Sequence, residues 1–401
     1  MLGKNLATMF FVKIFIRLII EIFLAPLLVI ISAIARFYPK EKDVGLGPEP
    51  LINNVYHAKA LRQQGWCAET FVDHVYFITS NFDIKFISKK KLISFFLRTL
   101  CTPFVFSIFR YRIIYIYFTG GGLYYTKLLW IIEPFLYRLS AVKVVVMPYG
   151  GDVQDMQKCP NLAFKHAVDT DYPHHFRRRN IIRSKVWLWS RFANHIISGC
   201  DWVDYMQHWD TLCLSHFSIE IEKIEYHKTR KSARNALKIL HAPNHKEIKG
   251  TRFFQKAVSE LQKEGFDIEL IMAQGVSNEK IQELIRDCDI IADQLLIGWY
   301  AMFAIEGMAA AKPVLCFLRD DLQDLYYKAG IIELGEIPII NCNPHTVIDV
   351  IRKLASSPEE ELVESGLRGR RFVEKHHSLH SIGIMFDAIN KNIGVKKGIG
   401  I

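Results

Sequence analysis

Short, continuously apolar runs alternate along most of this chain with segments whose apolar positions recur every three to four residues. RIIYIYF at Arg112–Phe118 and VKVVVMPYGGD at 142–152 read as strands, because unbroken runs of this length suit strands covered on both faces of a parallel sheet. Ahead of them, DVGLG reads as a strand followed by a glycine turn, a helix over Leu51–Gln64, a cap at Gly65 and another strand. TGGG at 119–122 reads as a loop and YTKLLWIIEPFLYRLS at 125–140 as a helix. Residues 153–185, polar and rich in His and Arg, read as a loop-like insertion. A fresh cycle starts near Lys238: strand LKILHAPN, helix KGTRFFQKAVSELQKEG, strand DIELIMAQ, helix NEKIQELIRDC, strand DIIADQ, helix MFAIEGMAAAK, strand PVLCF, and a helical tail from about Pro358. Two successive alternations of this kind predict an α/β chain of two doubly wound Rossmann-like domains facing a cleft. The expected division is a helical segment at 1–40, a first domain at 41–225, a second at 226–375 and a C-terminal helix at 376–401 that packs back on the first domain.

The first 35 residues break the pattern. From Ile22 to Ala35 there is no charge, while Lys13, Arg17 and Glu21 recur every four residues on an otherwise apolar helix. Three readings stay open: a cleaved signal peptide, a single spanning helix, and an interfacial or re-entrant element broken at Pro26. Either of the last two is an anchor at a membrane.

Charge sharpens the choice of partners. The 401 residues carry a net charge of +10, which points to nucleic acid, lipid head groups or a phosphorylated substrate. Between Phe82 and Tyr115 lie Lys85, Lys89, Lys90, Lys91, Arg98, Arg110 and Arg112 against one acid, Asp83, with six phenylalanines interleaved. That stretch reads either as a surface for an anionic bilayer or as a core helix with a basic rim. No helix-turn-helix, RNP or zinc-finger pattern accompanies it, so no nucleic acid partner is expected. The eight cysteines are scattered singly, without a C-x-x-C pair, and suit reduced thiols in place of a metal or redox motif. Half the residues are hydrophobic, which excludes a disordered chain.

Two segments carry candidate chemistry. In ILHAPNHKEIKGTRFF a strand ends near His241 and Lys249-Gly250-Thr251 opens a helix. The free amides of a helix start bind anions, and Lys249 adds a point charge suited to a diphosphate; an exposed lysine in a first turn reads the same. In GWYAMFAIEGMAAAKPVLCF, Gly298 permits close backbone approach, and Glu306 sits in a helix among small and apolar neighbours, where a carboxylate can accept from two hydroxyls of a ribose.

In this order the two segments resemble the donor-binding half of GT-B glycosyltransferases, family 4 in particular, over Leu237–Val314. In that family a basic residue precedes a K-G pair that opens a helix, and an E-x7-E pattern leads into A-x-A-x-G-x-P-V. Lys249-Gly250 matches the pair, Glu306 the second glutamate, and EGMAAAKPV the tail. The resemblance implies that Lys249 grips a donor diphosphate and Glu306 holds its ribose, the two converging on one nucleotide. It extends the donor-site candidates to Asn244, His245, Gly250, Trp299 and Tyr300. The family's first glutamate falls on Gly298 and its arginine on Asn244, leaving His245, Lys246 or Asp293-Gln294 to compensate.

In the first domain, MPYGGDVQ places Asp152 past a strand, either to orient an acceptor hydroxyl or donor sugar or to cap a helix. Arg177 and Arg178 in HHFRRR, with Lys89, Lys90, Lys91 and Arg98, are candidates for a phosphorylated lipid acceptor or membrane surface, or form a solvated loop. Asp152, Lys249 and Glu306 are the expected catalytic residues. No metal site and no cofactor are expected, only a nucleotide-diphosphate sugar as co-substrate. The resulting expectation is a membrane-associated glycosyltransferase on the cytoplasmic side, retaining and metal-independent, that acts on a lipid-linked or growing glycan. The alternatives are a non-catalytic sugar-nucleotide or scaffold protein of the same fold, or a phosphorylase or epimerase.

Overall fold

The structure is a computed structural model that describes residues 2–76, 79–87, 101–226 and 236–398, with side chains from Ile14 onward. Lys89, Lys90, Lys91 and Arg98 of the basic stretch lie outside the described residues.

The chain opens with α1 (Leu2–Ala35), one continuous helix through Pro26, not an element broken there. Pro26 faces solvent, so only one backbone hydrogen bond is forgone. Seven strands follow: β1 (Lys42–Leu46), β2 (Ala68–Val72), β3 (Ile84–Lys85), β4 (Tyr111–Tyr117), β5 (Lys143–Met147), β6 (His195–Ser198) and β7 (Thr211–Leu212). They form a parallel sheet in the order β3-β2-β1-β4-β5-β6-β7, with Val44 in register with both Ala68 and Ile113. β4 is buried along nearly its whole length, as its apolar run demands. β5 stops at Met147, short of the predicted strand end at Asp152, because Pro148 has no N–H to offer the ladder.

The helices of this half are α2 (Ile52–Gln63), α3 (Thr102–Arg110), α4 (Leu129–Leu139), α5 (Leu162–Asp171) and α6 (Arg179–Phe192), with a 3-10 turn at His175–Arg178. The predicted loop at 153–185 is therefore largely helical. Asn161 caps α5 by accepting from the Phe164 amide, and Phe164, Ala167 and Val168 form its buried face at helical spacing. The described part of the Phe82–Tyr115 stretch is structural: Phe104 is fully buried in α3, Arg110 pairs with Glu69 and Glu41, and Arg112 with Asp43.

The second sheet is also parallel. β8 (Leu237–His241), β9 (Ile268–Met272), β10 (Ile290–Gln294), β11 (Val314–Cys316) and β12 (Ile340–Asn341) run in the order β12-β11-β10-β8-β9. Its helices are α7 (Lys246–Lys249), α8 (Thr251–Lys263), α9 (Asn278–Asp287), α10 (Met302–Ala309), α11 (Asp320–Lys328), α12 (Val347–Ser356) and α13 (Glu359–His376). α14 (Leu379–Asn392) crosses back onto α2. There Trp66 donates to Asp387, Tyr115 to Asn390, and Phe386 stands edge-on to His57. The chain end continues along the first sheet, where the Gly398 amide donates to Asp43.

The two halves are packed together, not merely tethered. After β10, the loop 295–301 drives into the first half: Trp299 Nε1 donates to the Leu214 carbonyl at 3.0 Å, and its ring stacks on Tyr300. Tyr300 donates to Nε2 of His377, whose Nδ1 donates to the Phe217 carbonyl. Arg319 reaches across to Asp204 and Tyr326 to the Cys200 carbonyl. Truncating Trp299 to alanine should therefore cost about 3–5 kcal/mol, typical of a large ring removed from a packed core. Urea denaturation checks this, with a shift in midpoint as the expected outcome.

Candidate functional site

The C-terminal edges of the two sheets carry the polar groups. In the second half, β8 ends at His241, whose Nδ1 donates to the Ala292 carbonyl at 2.7 Å while Nε2 accepts from Thr251 at 2.9 Å. Burial pushes this ring down to about 4, so it is neutral. One turn of helix, α7, then brings Lys249 to the edge, and Gly250, at φ +72°, turns the chain into α8. The Lys249 amine donates to Asp293 on β10 at 2.6 Å, and the Asp293 carboxylate is fully buried. An ammonium has three N–H donors, so the pair leaves Lys249 with two to offer an anion.

Around this pair the expected helpers do other work. Gln294, fully buried, braces the 295–300 loop by donating to the Trp299 and Phe317 carbonyls and accepting from the Ile297 amide. Asp293 adds negative charge, so neither residue replaces the missing arginine. Asn244 is exposed. His245 meets Tyr172 of the first half at 2.6 Å, and beside it Asp171 accepts from the Ile248 amide at the start of α7. Gly298 is set by packing: its φ is +102°, and a Cβ there would lie 2.6 Å from Cδ of Arg319. Trp299 and Tyr300, expected at the donor, are each 1% exposed and serve the contact between the halves. In this structure their side chains are committed to that contact.

Glu306 lies on α10, 4% exposed, and accepts from Nδ2 of Asn278 at 2.9 Å and from Gln282. Burial pushes its carboxyl up to about 7. Asn278 and Gln282 line an open cavity of about 390 Å³ between the halves, together with Tyr56, Glu220, Lys223 and Arg286. Tyr56 is itself pushed up to about 12, by burial first and then by the Glu306 charge. Lys249 and Glu306 share no hydrogen-bond partner among the described residues, and of the two only Glu306 has partners on that cavity.

Asp152 is 3% exposed and is taken up by its own turn: it accepts from the amides of Tyr149, Gly150 and Phe118, each at 3.0 Å. No helix starts there for it to cap. With three backbone donors on its oxygens, it fastens the ends of β4 and β5 together and leaves little to orient a substrate.

A polar group that the motifs did not flag stands at the same edge of the first sheet. Glu49, just after β1, accepts from Tyr76 at 2.9 Å and weakly from Thr119, and burial raises its carboxyl above the usual range. Beside it Asp73 accepts from His74 at 2.7 Å and from Tyr124, while Lys185 holds the Thr119 and Tyr124 carbonyls. Arg178 is exposed, and its charge reaches both Tyr76 and Tyr149; the neighbouring Arg177 lies over the Phe176 ring. Attention to the residues just past each strand end would have found Glu49 and Asp73, since ligands of open α/β sheets sit there. Among the described residues, no three His, Cys, Asp or Glu side chains gather as a metal-ligand set.

Solved structures share this architecture across most of the chain. Sucrose-phosphate synthase from Thermosynechococcus elongatus superposes with a TM-score of 0.57 at 12% identity, covering 88% of this chain and 99% of that one. The Anabaena protein HepE in complex with UDP and glucose gives 0.52 at 12% identity, with 88% and 99% covered. A glycosyltransferase from Rickettsia africae gives 0.50 at 12% identity, with 89% and 99% covered. The fold is GT-B. No family model matches the chain, and no curated protein matches it significantly in sequence. The likeness to family 4 is one of motif alone. Lys249 with Asp293 lies at the strand ends of the second sheet, and Glu49 with Tyr76 at those of the first.

The buried Glu306 carboxyl makes stability depend on pH. Its ordinary value is 4.5 and its folded value about 7, so between these the folded chain holds a proton that the unfolded chain has released. Its contribution to stability is therefore favourable below about 4.5 and is lost as pH rises through about 7. Glu306→Gln should match the parent at pH 4.5 and exceed it by up to about 3 kcal/mol at pH 8, as measured by urea denaturation at both values. A gain that does not change with pH would show that the carboxyl ionises as readily folded as unfolded.

Proposed function

We propose that this protein is a glycosyltransferase that moves a sugar from a nucleotide-diphosphate donor onto a lipid-linked or growing glycan acceptor at a membrane. The observation that supports it most is the GT-B fold carrying Lys249-Gly250 at a helix start and Glu306 ahead of GMAAAKPV. Lys249 and the start of α8 would receive the diphosphate, with Asp293 holding the amine in place until it does. Glu306, fixed by Asn278 and Gln282 beside the inter-half cavity, would accept the ribose hydroxyls. As negative charge develops on the departing diphosphate, the lysine and the helix dipole stabilise it without a metal ion. Retention of configuration comes from the family 4 resemblance, and the cytoplasmic placement from the eight single cysteines, which suit a reducing compartment. On the acceptor side, Asp152 gives way to Glu49 and Arg178, the groups at the sheet edge with oxygen and charge to present.

A second reading, a non-catalytic sugar-nucleotide or scaffold protein, is favoured by two observations. Gly298 stands where the family has its sugar-contacting glutamate, and Arg319 fills the space beside it.

Incubation of the full chain with radiolabelled UDP- and GDP-sugars and polyprenyl-phosphate-linked acceptors separates the two readings. Transfer is the expected outcome; binding with neither transfer nor hydrolysis would establish the second. Lys249→Ala should raise the donor KM and lower kcat, together about 100-fold in kcat/KM, the scale of a lost charge-assisted contact to a phosphate. Parent-like kinetics would remove Lys249 from the site.

A further inference from the structure

α1 is often the kind of segment read as a membrane crossing: Ile14–Ala35 has a mean hydropathy of 2.7 over its most apolar window. Its packing argues otherwise. Glu21, Leu28, Ser32 and Ala35 are buried, with Arg17, Leu24 and Ile31 partly so, which makes a narrow stripe at a spacing of three to four residues. That stripe lies against α3 and α4. The helix is also tied down by polar groups. Glu21 accepts from the amides of Lys127 and Leu128, at 2.8 and 2.7 Å, and Arg17 donates to the Tyr125 carbonyl at 2.7 Å. At its other end Lys40 bridges the carbonyls of Ala35 and Ile108. The two ties are about 20 Å apart along the helix at 1.5 Å per residue. A helix fastened over that length cannot stand across a bilayer without drawing α3, α4 and their polar neighbours into hydrocarbon.

The rest of α1 is open and apolar. Phe15, Ile16, Ile22, Phe23, Ile30 and Ile34 are each more than half exposed, Phe23 by 75%. The surface continues past the helix: Leu128, Ile131 and Phe135 of the α4 region are exposed beside it. Phe135 packs on Phe192 at 4.6 Å, which leads to the half-exposed Trp187 on α6. Exposed cations accompany the same three elements: Arg36 just after α1, Lys127 just before α4, Arg138 on α4 and Arg191 on α6. Apolar patches of this extent are rare on soluble monomers. An aromatic and aliphatic face accompanied by Lys and Arg suits the boundary of an anionic bilayer, where acyl chains meet phosphate head groups.

We propose that α1, α4 and the Trp187 edge of α6 form one continuous seat that sinks into a single leaflet of an anionic phospholipid bilayer, with α1 lying along the surface and not crossing it. The proposal rests on the membrane placement in the proposed function and deepens it. It brings the first half of the cleft to the membrane without a transmembrane segment.

The test uses the full chain and vesicles of phosphatidylcholine with phosphatidylglycerol, read by flotation. Ile131→Glu with Phe135→Glu changes only exposed positions on α4 and leaves α1 intact. The double variant should lose at least about tenfold in vesicle partitioning while keeping the parent's circular dichroism and unfolding temperature. Undiminished binding would overturn the three-helix seat. A depth measurement decides the orientation: with Cys67→Ser as background, nitroxides at Phe23→Cys and Ile34→Cys should report the same shallow depth. A label at Phe23 near the bilayer centre with one at Ile34 near the head groups would establish a crossing and overturn the proposal. Because the readouts are partitioning and depth, they fail or succeed independently of any glycosyl transfer.

Discussion

The contact between the two halves depends on the loop after β10. It leaves the sheet beside Asp293, is braced from within by the buried Gln294 amide, and delivers Trp299 and Tyr300 into the first half. Gly298 makes this path available, since its positive φ and missing Cβ let Arg319 lie across it on the way to Asp204. A parallel sheet gathers its strand ends, and so its polar chemistry, at one edge. Fixing the two halves together needs apolar area between them and a few polar anchors to set their register. The loop supplies both, which is why residues placed like ligand contacts in the sequence are core residues in the structure.

Charge is arranged as economically as the packing. Lys249 meets Asp293, Glu306 meets two amides, and Asp152 meets three backbone donors. A buried ion left without such partners would cost several kcal/mol, so partners of some kind were required at each position. Their identity sorts the candidates. A carboxylate that accepts from three backbone amides, as Asp152 does, serves the fold first. An amine with one partner and two remaining N–H groups, or a carboxyl held by side-chain amides next to a cavity, keeps capacity for a ligand.

Strands β1, β2, β4 and β5 and the β8-to-β11 half were legible in order and nearly in bounds, because apolar runs in a parallel sheet leave few alternatives. By contrast β3, β6, β7 and β12, only two to four residues each, are too short to show such a run. The helix at Leu162–Asp171 was not legible, since its three buried positions sit among Lys165, His166, Asp169 and Asp171, which mask the period. Chemistry was harder to read than topology. The contact that Trp299 and Tyr300 make between the halves could not be read in advance, because the partners that bury them, Leu214 and His377, are distant in sequence. Glu49 escaped notice for a related reason: nothing near it in sequence marks it, and its partners Tyr76 and Thr119 arrive from the ends of other strands.

The position of α1 ties these observations together. A buried glutamate on an apolar helix is costly unless it has donors, and Glu21 finds them at the amides just before α4, in the same half that presents Glu49 and Arg178 at its sheet edge. On the proposed function, one polar clamp then does two things at once. It keeps an apolar helix from leaving the domain, and it holds the half of the cleft that would meet the acceptor at a fixed attitude to the surface that helix occupies. A freely spanning anchor would tether the chain but leave that attitude unset. A docked helix sets it through the same hydrogen bonds that make its own burial tolerable.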